Sequence, residues 1–332
     1  MVSDSPAVAG SGILRAGPSV AARQAVAPDA RRRLQLVLAA IWLLDGVLQY
    51  QSFMFSRGFS QMLDSVAPGN PAVIADPITW AARIVAQHPV PTNATFATIQ
   101  VLIGLGIACR RTIRPALAAS IIWAVAVWWF GEGLGGILSG SASPVNGAPG
   151  AVIIYALLAV LLWPVADGDG QGRPGFVAAR PVGATVARVL WLVLWGSLAY
   201  FAVTAANRTA QGLHDMVAGM ASGEPGWLSA INRGAADVLA QHGLAASIVL
   251  AVLLAFVAVG VFLPVPLSRT AVVLAIVIAL VIWVAGEDFG TILAGGATDP
   301  NSGLLLAVLA AAYWPASAAV RRTLDRTEAQ AP

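Results

Sequence analysis

The sequence has little charge and no lysine. Only 11% of its 332 residues are charged, 58% are hydrophobic, and the mean hydropathy is +0.77. A soluble globule of this size would need more polar surface, so the composition indicates an integral membrane protein in contact with the lipid bilayer. All 19 basic residues are arginine. This arginine usage accounts for the high isoelectric point, and we expect no nucleic-acid partner.

Cysteine and histidine are also scarce. Cys109 is the only cysteine, which excludes an intrachain disulfide and a CxxC redox pair. The three histidines include no pair on one apolar segment that could ligate haem. Walker, GxSxG, HExxH and dinucleotide-binding motifs are absent as well. The sequence therefore favours a protein that is not an enzyme, and it identifies no catalytic residue, cofactor or metal.

Eight apolar runs predict an all-α integral membrane protein with eight transmembrane helices. A helical span needs roughly 20 residues, so the fourth and eighth runs would have to be tilted, matched by a locally thinner bilayer, or partly re-entrant. The eight runs cover residues 34–50, 94–109, 116–130, 148–163, 186–206, 244–263, 270–285 and 303–313.

The second half of the chain repeats the first. A carboxylate, a run of glycines and an asparagine recur 155 residues later, and the segment before them recurs 154 residues later. We therefore predict two tandem four-helix repeats. Because four spans return the chain to the same side, both repeats should have the same orientation in the membrane. The matched pairs are Glu132 and Glu287, Asn146 and Asn301, Gly135 and Gly290, Asn70 and Glu224, and His88 and His242.

Each repeat has a long outer segment between its first and second spans. Four apolar residues in each segment are spaced as on one face of a helix. We therefore predict amphipathic helices that lie on the outer surface of the membrane. The residues are Phe59, Met62, Leu63 and Val66 in the first repeat and Leu213, Met216, Val217 and Met220 in the second.

Arginines beside the apolar runs predict the orientation, because cytoplasmic loops carry an excess of basic residues. Arginines precede the first run and follow the second, fourth, sixth and eighth runs. These positions share one side, so we predict a multi-pass protein of the inner cell membrane with both termini in the cytoplasm. The predicted divisions are a disordered tail 1–32, a first repeat 33–164, a linker 165–185, a second repeat 186–315 and a cytoplasmic tail 316–332.

Polar side chains at a similar depth in the two repeats are the first site candidates. One hypothesis is a pair of outward-facing, pseudo-symmetric sites for a metal, a proton or a polar ligand. The other is structural: each histidine caps the C-terminus of a surface helix, and each glutamate binds backbone amides of the glycine-rich turn after it. The candidates are His88, Glu132 and Asn146 in the first repeat and His242, Glu287 and Asn301 in the second.

Asp45 is a candidate of another kind, because the second repeat has Trp195 at the matching position. It lies roughly 18 Å along the first helix from Arg33, inside the hydrocarbon. An unpaired carboxylate there costs on the order of 2.5 to 3.5 kcal/mol, so Asp45 should face the bundle interior, be protonated or have a partner. Gln49 lies one turn further on the same face. Either a function of the first repeat alone or a structural hydrogen bond would explain Asp45.

The order of these features resembles the DoxX-like superfamily of four-helix membrane proteins. The resemblance rests on the turn Gly69-Asn70-Pro71, residues 100–106 and the arginine-rich turn 110–115, to which the second repeat offers only 264–269. Residues 42–46 and 129–133 also resemble uncharacterised actinobacterial polytopic membrane proteins. The superfamily resemblance implies a four-helix bundle and an auxiliary role near membrane redox or thiol metabolism, without catalytic residues.

Two functions remain open at this level. A non-enzymatic membrane protein that binds or passes a small polar solute, ion or proton is favoured by the repeat and by the glycine-interrupted segments. The alternative, implied by the resemblance alone, is an auxiliary subunit of a membrane oxidoreductase that docks a quinone or a membrane redox partner.

Overall fold

A computed structural model describes residues 30–165, 175–204 and 207–315 of the chain. These residues form eleven α-helices and three short 3₁₀ turns, and they contain no β-strand. The predicted all-helical class is therefore confirmed for the described residues. Residues 1–29 of the predicted tail, residues 166–174 of the predicted linker and the predicted tail 316–332 lie outside them.

The first half contains six helices. One helix covers the first apolar run, two shorter helices form the outer segment, and three helices cover the next three runs. Their bounds are α1 Ala30–Leu48, α2 Arg57–Asp64, α3 Ala72–Gln87, α4 Pro89–Ala108, α5 Ile113–Phe130 and α6 Ala151–Leu161.

The second half contains five helices, because its last outer helix is continuous with its second span. The joined helix has a non-helical residue at His242 (φ −130°, ψ 20°), and the first half breaks between α3 and α4 at the matching His88 (φ −133°, ψ 57°). The helices are α7 Ala179–Ala202, α8 Ala210–Met220, α9 Gly226–Gly260, α10 Val265–Ala285 and α11 Asn301–Ala312.

Two helix starts differ from the predicted divisions. α1 begins at Ala30, inside the predicted tail, because its three arginines are good helix formers. α7 begins at Ala179, inside the predicted linker, and is interrupted by Gly183 at φ 80°. The linker is therefore partly helical on the side of the second half.

Five helices, α4, α5, α7, α9 and α10, are long and apolar enough to cross a membrane. α1 is 19 residues long but carries three arginines and an aspartate. α6 and α11 have only 11 and 12 residues. The fold is thus that of an all-helical membrane protein with five candidate membrane-spanning helices.

The core runs through both halves as one cluster. The short helices α6 and α11 lie at its centre, where they contact each other and are buried along most of their length. By contrast, the outer faces of the long helices are apolar and exposed: Ile122 on α5 is 72% exposed and Val252 on α9 is 63% exposed. Such faces are expected against lipid.

Candidate functional site

The glycine-rich turns of the two halves have the same backbone conformation. We call residues 128–152 the first corner and residues 283–303 the second corner. Each begins at the end of a long helix and leads to a short buried helix, α6 or α11. Four consecutive residues in each corner, 133–136 and 288–291, have left-handed φ values, which non-glycine residues adopt only where packing enforces them. The middle pair of each run is Leu134 (55°) and Gly135 (64°) in the first corner and Phe289 (54°) and Gly290 (74°) in the second.

Close packing requires the glycine of each pair. A β-carbon at Gly135 would lie 2.1 Å from the carbonyl oxygen of Pro149. A β-carbon at Gly290 would lie 2.6 Å from the carbonyl carbon of Pro300. Any larger residue would therefore push the turn away from the segment that leads into α6 or α11.

A tryptophan fixes each corner to that same segment. The indole Nε1 of Trp128 donates a hydrogen bond of 2.7 Å to the carbonyl oxygen of Pro149. Trp283 donates a bond of the same length to Pro300. Equivalent hydrogen bonds thus close the two corners.

Glu132 and Glu287 bind the N-termini of the short helices. The Oε1 atom of Glu132 accepts hydrogen bonds from the backbone N–H groups of Ala151 (3.1 Å) and Val152 (3.3 Å). Glu287 accepts one from the N–H of Gly303 at 2.8 Å and another from the Ser302 hydroxyl. The first N–H groups of a helix lack partners within it, and a carboxylate there also interacts favourably with the helix dipole.

These carboxyl groups have altered acidity. Burial, followed by the nearby Asp299 carboxylate, raises the pKa of Glu132 to about 8 against the lowering effect of the two backbone hydrogen bonds. Burial raises the pKa of Glu287 to about 7, while its hydrogen bonds to Ser302 and Gly303 lower it. Glu287 has no exposed surface, and Glu132 is half-buried.

The other members of the predicted symmetric sites are not gathered around these glutamates. His88 and His242 are exposed, at the breaks before the second spans. Asn146 is also exposed. Asn301 has φ 64° and its Oδ1 accepts the backbone N–H of Ser302 at 2.7 Å, so it shapes the start of α11. The amides that Glu132 and Glu287 bind belong to α6 and α11 rather than to the glycine-rich turn.

Asp45 is buried near the end of α1 and has one hydrogen-bond partner among the described residues. Its side chain is 1% exposed, and its Oδ2 accepts a hydrogen bond of 2.6 Å from the hydroxyl of Tyr155 on α6. The Oδ1 atom is buried and has no hydrogen-bond partner among the described residues. Trp42, one turn before Asp45 on α1, packs against Tyr155 with ring centroids 4.4 Å apart.

Gln49 continues the polar face of α1 beyond Asp45. Its side chain is 2% exposed, and its Oε1 has no partner among the described protein atoms. Its backbone carbonyl oxygen accepts a hydrogen bond from the side chain of Asn93, which is also buried. The structure thus keeps the predicted pair, Asp45 and Gln49, on the buried side of α1.

Asp299 is a half-buried acidic residue of the second corner. It precedes α11, and its carboxylate accepts hydrogen bonds from the Thr298 hydroxyl (2.8 Å) and the Asn301 N–H (2.7 Å). Burial raises the pKa of Asp299, while these two bonds lower it. Its charge acts on four other buried groups, which are Asp45, Tyr155, Glu132 and Glu287.

Two reciprocal hydrogen bonds join the halves near this point. The Nε2 atom of Gln51 donates to the carbonyl oxygen of Ala297 at 3.2 Å. The Nδ2 atom of Asn207 donates to the carbonyl oxygen of Ala142 at 2.9 Å. Ala142 and Ala297 are 155 residues apart, so each half uses the end of its first span to bind the corner loop of the other.

Sequence reasoning missed Tyr155 and Asp299 as members of the site. Tyr155 is the one hydroxyl-bearing aromatic residue in the fourth apolar run, which is a signal for a polar partner in the membrane interior. No sequence signal places Asp299 near Asp45, because their proximity depends on how α11 packs against α1.

The described part of the chain is all-helical, has five candidate membrane-spanning helices and buries the side chains of Asp45 and Glu287. In the part of the chain that the structure describes, no three His, Cys, Asp or Glu side chains are grouped as in a metal site. No protein-family model, no curated protein and no solved structure matches this chain significantly.

Proposed function

We propose that the protein spans the membrane eight times as two tandem four-helix repeats of parallel orientation, and that it binds and passes protons at the junction of the repeats. The repeat is supported by the matched corner turns, by the matched tryptophan hydrogen bonds and by the reciprocal bonds of Gln51 and Asn207. α6 and α11 are short for spans, but they are surrounded by other helices rather than by lipid.

The same proposal assigns the protein to the inner cell membrane with cytoplasmic termini. The turn between α4 and α5, the start of α1 and the start of α7 carry arginines on one side. Fewer arginines occur in the outer segments, and the excess of basic residues marks the cytoplasmic side. The outer-segment arginines are Arg57, Arg83, Arg208 and Arg233.

One observation carries the proposed function. The buried Asp45 of α1 has one carboxylate oxygen in a hydrogen bond and the other without a hydrogen-bond partner among the described residues. Tyr155 holds Oδ2 of Asp45, so Oδ1 is the atom that can take and release a proton. An ionisable side chain in a membrane interior is costly and usually marks an ion or proton pathway. A second carboxylate, Asp299, lies just before α11, which contacts α1.

The pathway would lead from Asp45 toward the outer surface by way of Asp299. Gln49 continues the polar face of α1 in that direction, and the free Oε2 atom of Glu132 adds a third acceptor at the first corner. The site is asymmetric, because Trp195 occupies the position that matches Asp45. This departs from the predicted pair of equivalent outward-facing sites.

Proton flux into proteoliposomes tests the proposal. The purified protein is reconstituted with a pH-sensitive dye inside, and a potassium gradient with valinomycin sets the membrane potential. We expect flux above that of empty liposomes, its loss in Asp45→Asn, and normal flux in the control Asp64→Asn, which changes an exposed carboxylate of the outer segment. Flux equal to empty liposomes, or unchanged in Asp45→Asn, would contradict the proposal.

Membership of the DoxX-like superfamily is a separate proposal. It is supported by a four-helix unit with a helical outer segment and by the tight turn between α4 and α5. Beside this turn the two helices pack closely, because a β-carbon at Gly106 of α4 would lie 2.7 Å from that of Ala116 in α5. The oxidoreductase role follows only if purified protein retains a quinone or a redox partner. A preparation that contains neither would remove that role and leave the proton proposal unaffected.

A further inference from the structure

The second half carries a cluster of buried oxygen atoms that Asp45 and Asp299 do not use. Asp288 has no exposed surface and Glu224 is 9% exposed. None of their four carboxylate oxygens has a hydrogen bond of normal geometry. The charge of Asp288 acts on Glu224 and contributes to raising its pKa, after the larger effect of burial.

Asn232 supplies a third buried group to this cluster. It has no exposed surface, and its Nδ2 donates a hydrogen bond of 3.3 Å to the carbonyl oxygen of Ala285, the last residue of α10. Its Oδ1 atom is buried and without a partner. The Asn232 side chain also lies close enough to Asp288 to lower its pKa, although burial raises that pKa by more.

The matching place in the first half shows what the cluster replaces. Asp288 matches Gly133, Glu224 matches Asn70 and Asn232 matches Ile78. There, a β-carbon at Gly133 would lie 3.2 Å from Nδ2 of Asn70 and 3.4 Å from Cδ1 of Ile78, so the three residues fill the space between them. Asn70 satisfies its amide by donating to the carbonyl oxygen of Val66 at 2.8 Å.

Asp288 thus occupies the position at which the first half has the glycine Gly133. Gly133 has φ 54° and Asp288 has φ 49°, a conformation that glycine adopts without strain. The second half therefore has an aspartate side chain where the fold requires none, directed toward Glu224 and Asn232. Two buried carboxylates that have no basic partner among the described residues are unfavourable unless a cation or protons compensate them.

We propose that Glu224, Asp288 and Asn232 bind one divalent cation of the calcium class. The donors are all oxygen atoms, which excludes the soft thiolate and imidazole chemistry that zinc or copper prefer. Two carboxylates and an amide carbonyl are ligands of the kind that Ca²⁺ uses, with backbone oxygens and water completing six to eight positions. Mg²⁺ would require a stricter octahedron of water and fewer protein ligands.

Calcium binding by the whole protein in a neutral detergent tests this site. Titration of the metal-free protein with CaCl₂, followed by calorimetry, should give one bound Ca²⁺ per chain. We expect Glu224→Gln and Asp288→Asn each to weaken binding at least tenfold, because each removes a charged ligand. The matched control Asp237→Asn changes an exposed carboxylate on the same helix as Asn232 and should bind as the native protein does.

A second readout does not depend on stability. Tb³⁺, which replaces Ca²⁺ at oxygen sites, should show emission sensitised by Trp227, three residues after Glu224, and the emission should fall when Ca²⁺ is added. Absence of saturable Ca²⁺ binding to the native protein would overturn the proposal, as would native affinity in both variants. Displacement of Ca²⁺ by an equal concentration of Mg²⁺ would overturn the assignment to the calcium class.

Discussion

The two corners share a backbone and differ in their side chains. Both have left-handed turns at matching positions, a tryptophan bound to the carbonyl before the short helix, and a glutamate at the N-terminus of that helix. Behind the turn, the first corner packs a glycine against Asn70 and Ile78, whereas the second presents Asp288 to Glu224 and Asn232. The residues that the turn requires occur in both corners, whereas the additional buried polar residues occur only in the second.

The same division holds for the first spans. Gln35 of α1 donates a hydrogen bond of 2.7 Å to the carbonyl oxygen of Leu162, just after α6. Tyr313, just after α11, donates one of 2.6 Å to the carbonyl oxygen of Ala187 in α7. Both halves therefore fix their first helix to their fourth. Asp45 has no counterpart in α7, where Trp195 is fully buried. At each of these matched positions, only one half of the chain carries the ionisable residue.

The largest expected effect comes from the glycines that both corners require. Gly135→Ala and Gly290→Ala should each destabilise the protein by about 3 kcal/mol or more, because the cost of a left-handed conformation for alanine adds to the cost of a clash with the backbone. Gly140→Ala is the matched control: its φ is 77°, but no atom lies within 4 Å of the new β-carbon. It should cost about 1 kcal/mol.

Thermal unfolding in detergent, with the yield of monodisperse protein, measures these losses. Equal losses for Gly135→Ala and Gly290→Ala would support the common scaffold. A loss no larger than that of Gly140→Ala in either corner would show that this corner does not have the close packing described.

The sequence predicted much of the scaffold and little of the site. The structure has a helix at each of the eight predicted apolar runs, and five of these helices are candidate membrane spans. Burial and lipid contact both leave such a pattern along one chain. The structural hypothesis for Glu287 predicts partners in the glycine-rich turn, whereas the observed partners, Ser302 and Gly303, lie at the start of α11. Contacts such as that of Asp45 with Tyr155 join residues far apart in sequence, and no local pattern encodes them.

The pH dependence of stability separates the two glutamates. Each has a folded pKa above the ordinary value of 4.5, so each stabilises the fold fully below pH 4.5 and loses that contribution as the pH rises, through about 7 for Glu287 and about 8 for Glu132. Compared with Glu132→Gln or Glu287→Gln, the native protein should therefore lose on the order of 2 kcal/mol across this window.

Unfolding temperatures measured from pH 4 to pH 9 test this expectation. The stability advantage of the native protein over each variant should begin to fall near pH 4.5, and it should stop falling near pH 7 for Glu287→Gln and near pH 8 for Glu132→Gln. An advantage that grows with pH would mean that both glutamates are stabilised as anions, contrary to the described burial.

The reciprocal bonds between the halves should give the smallest effects, and unequal ones. Asn207 is 1% exposed and donates to Ala142 and Phe201, so Asn207→Ala should cost about 2 kcal/mol. Gln51 is half-buried with one long bond, and Gln51→Ala should cost about 0.5 kcal/mol. The exposed Gln87→Ala is the control. Equal costs for Asn207→Ala and Gln51→Ala would contradict this asymmetry.

Sidedness of labelling tests the central claim, two repeats of the same orientation, most directly. Cys109 is exposed in the turn between α4 and α5, and single cysteines can be placed at the exposed Asp64 and Asp215 of the two outer segments after Cys109→Ser. With a membrane-impermeant maleimide on intact cells, the account predicts labelling of Asp64→Cys and Asp215→Cys from outside and of Cys109 only after lysis. Labelling of positions 64 and 215 from opposite sides would contradict it.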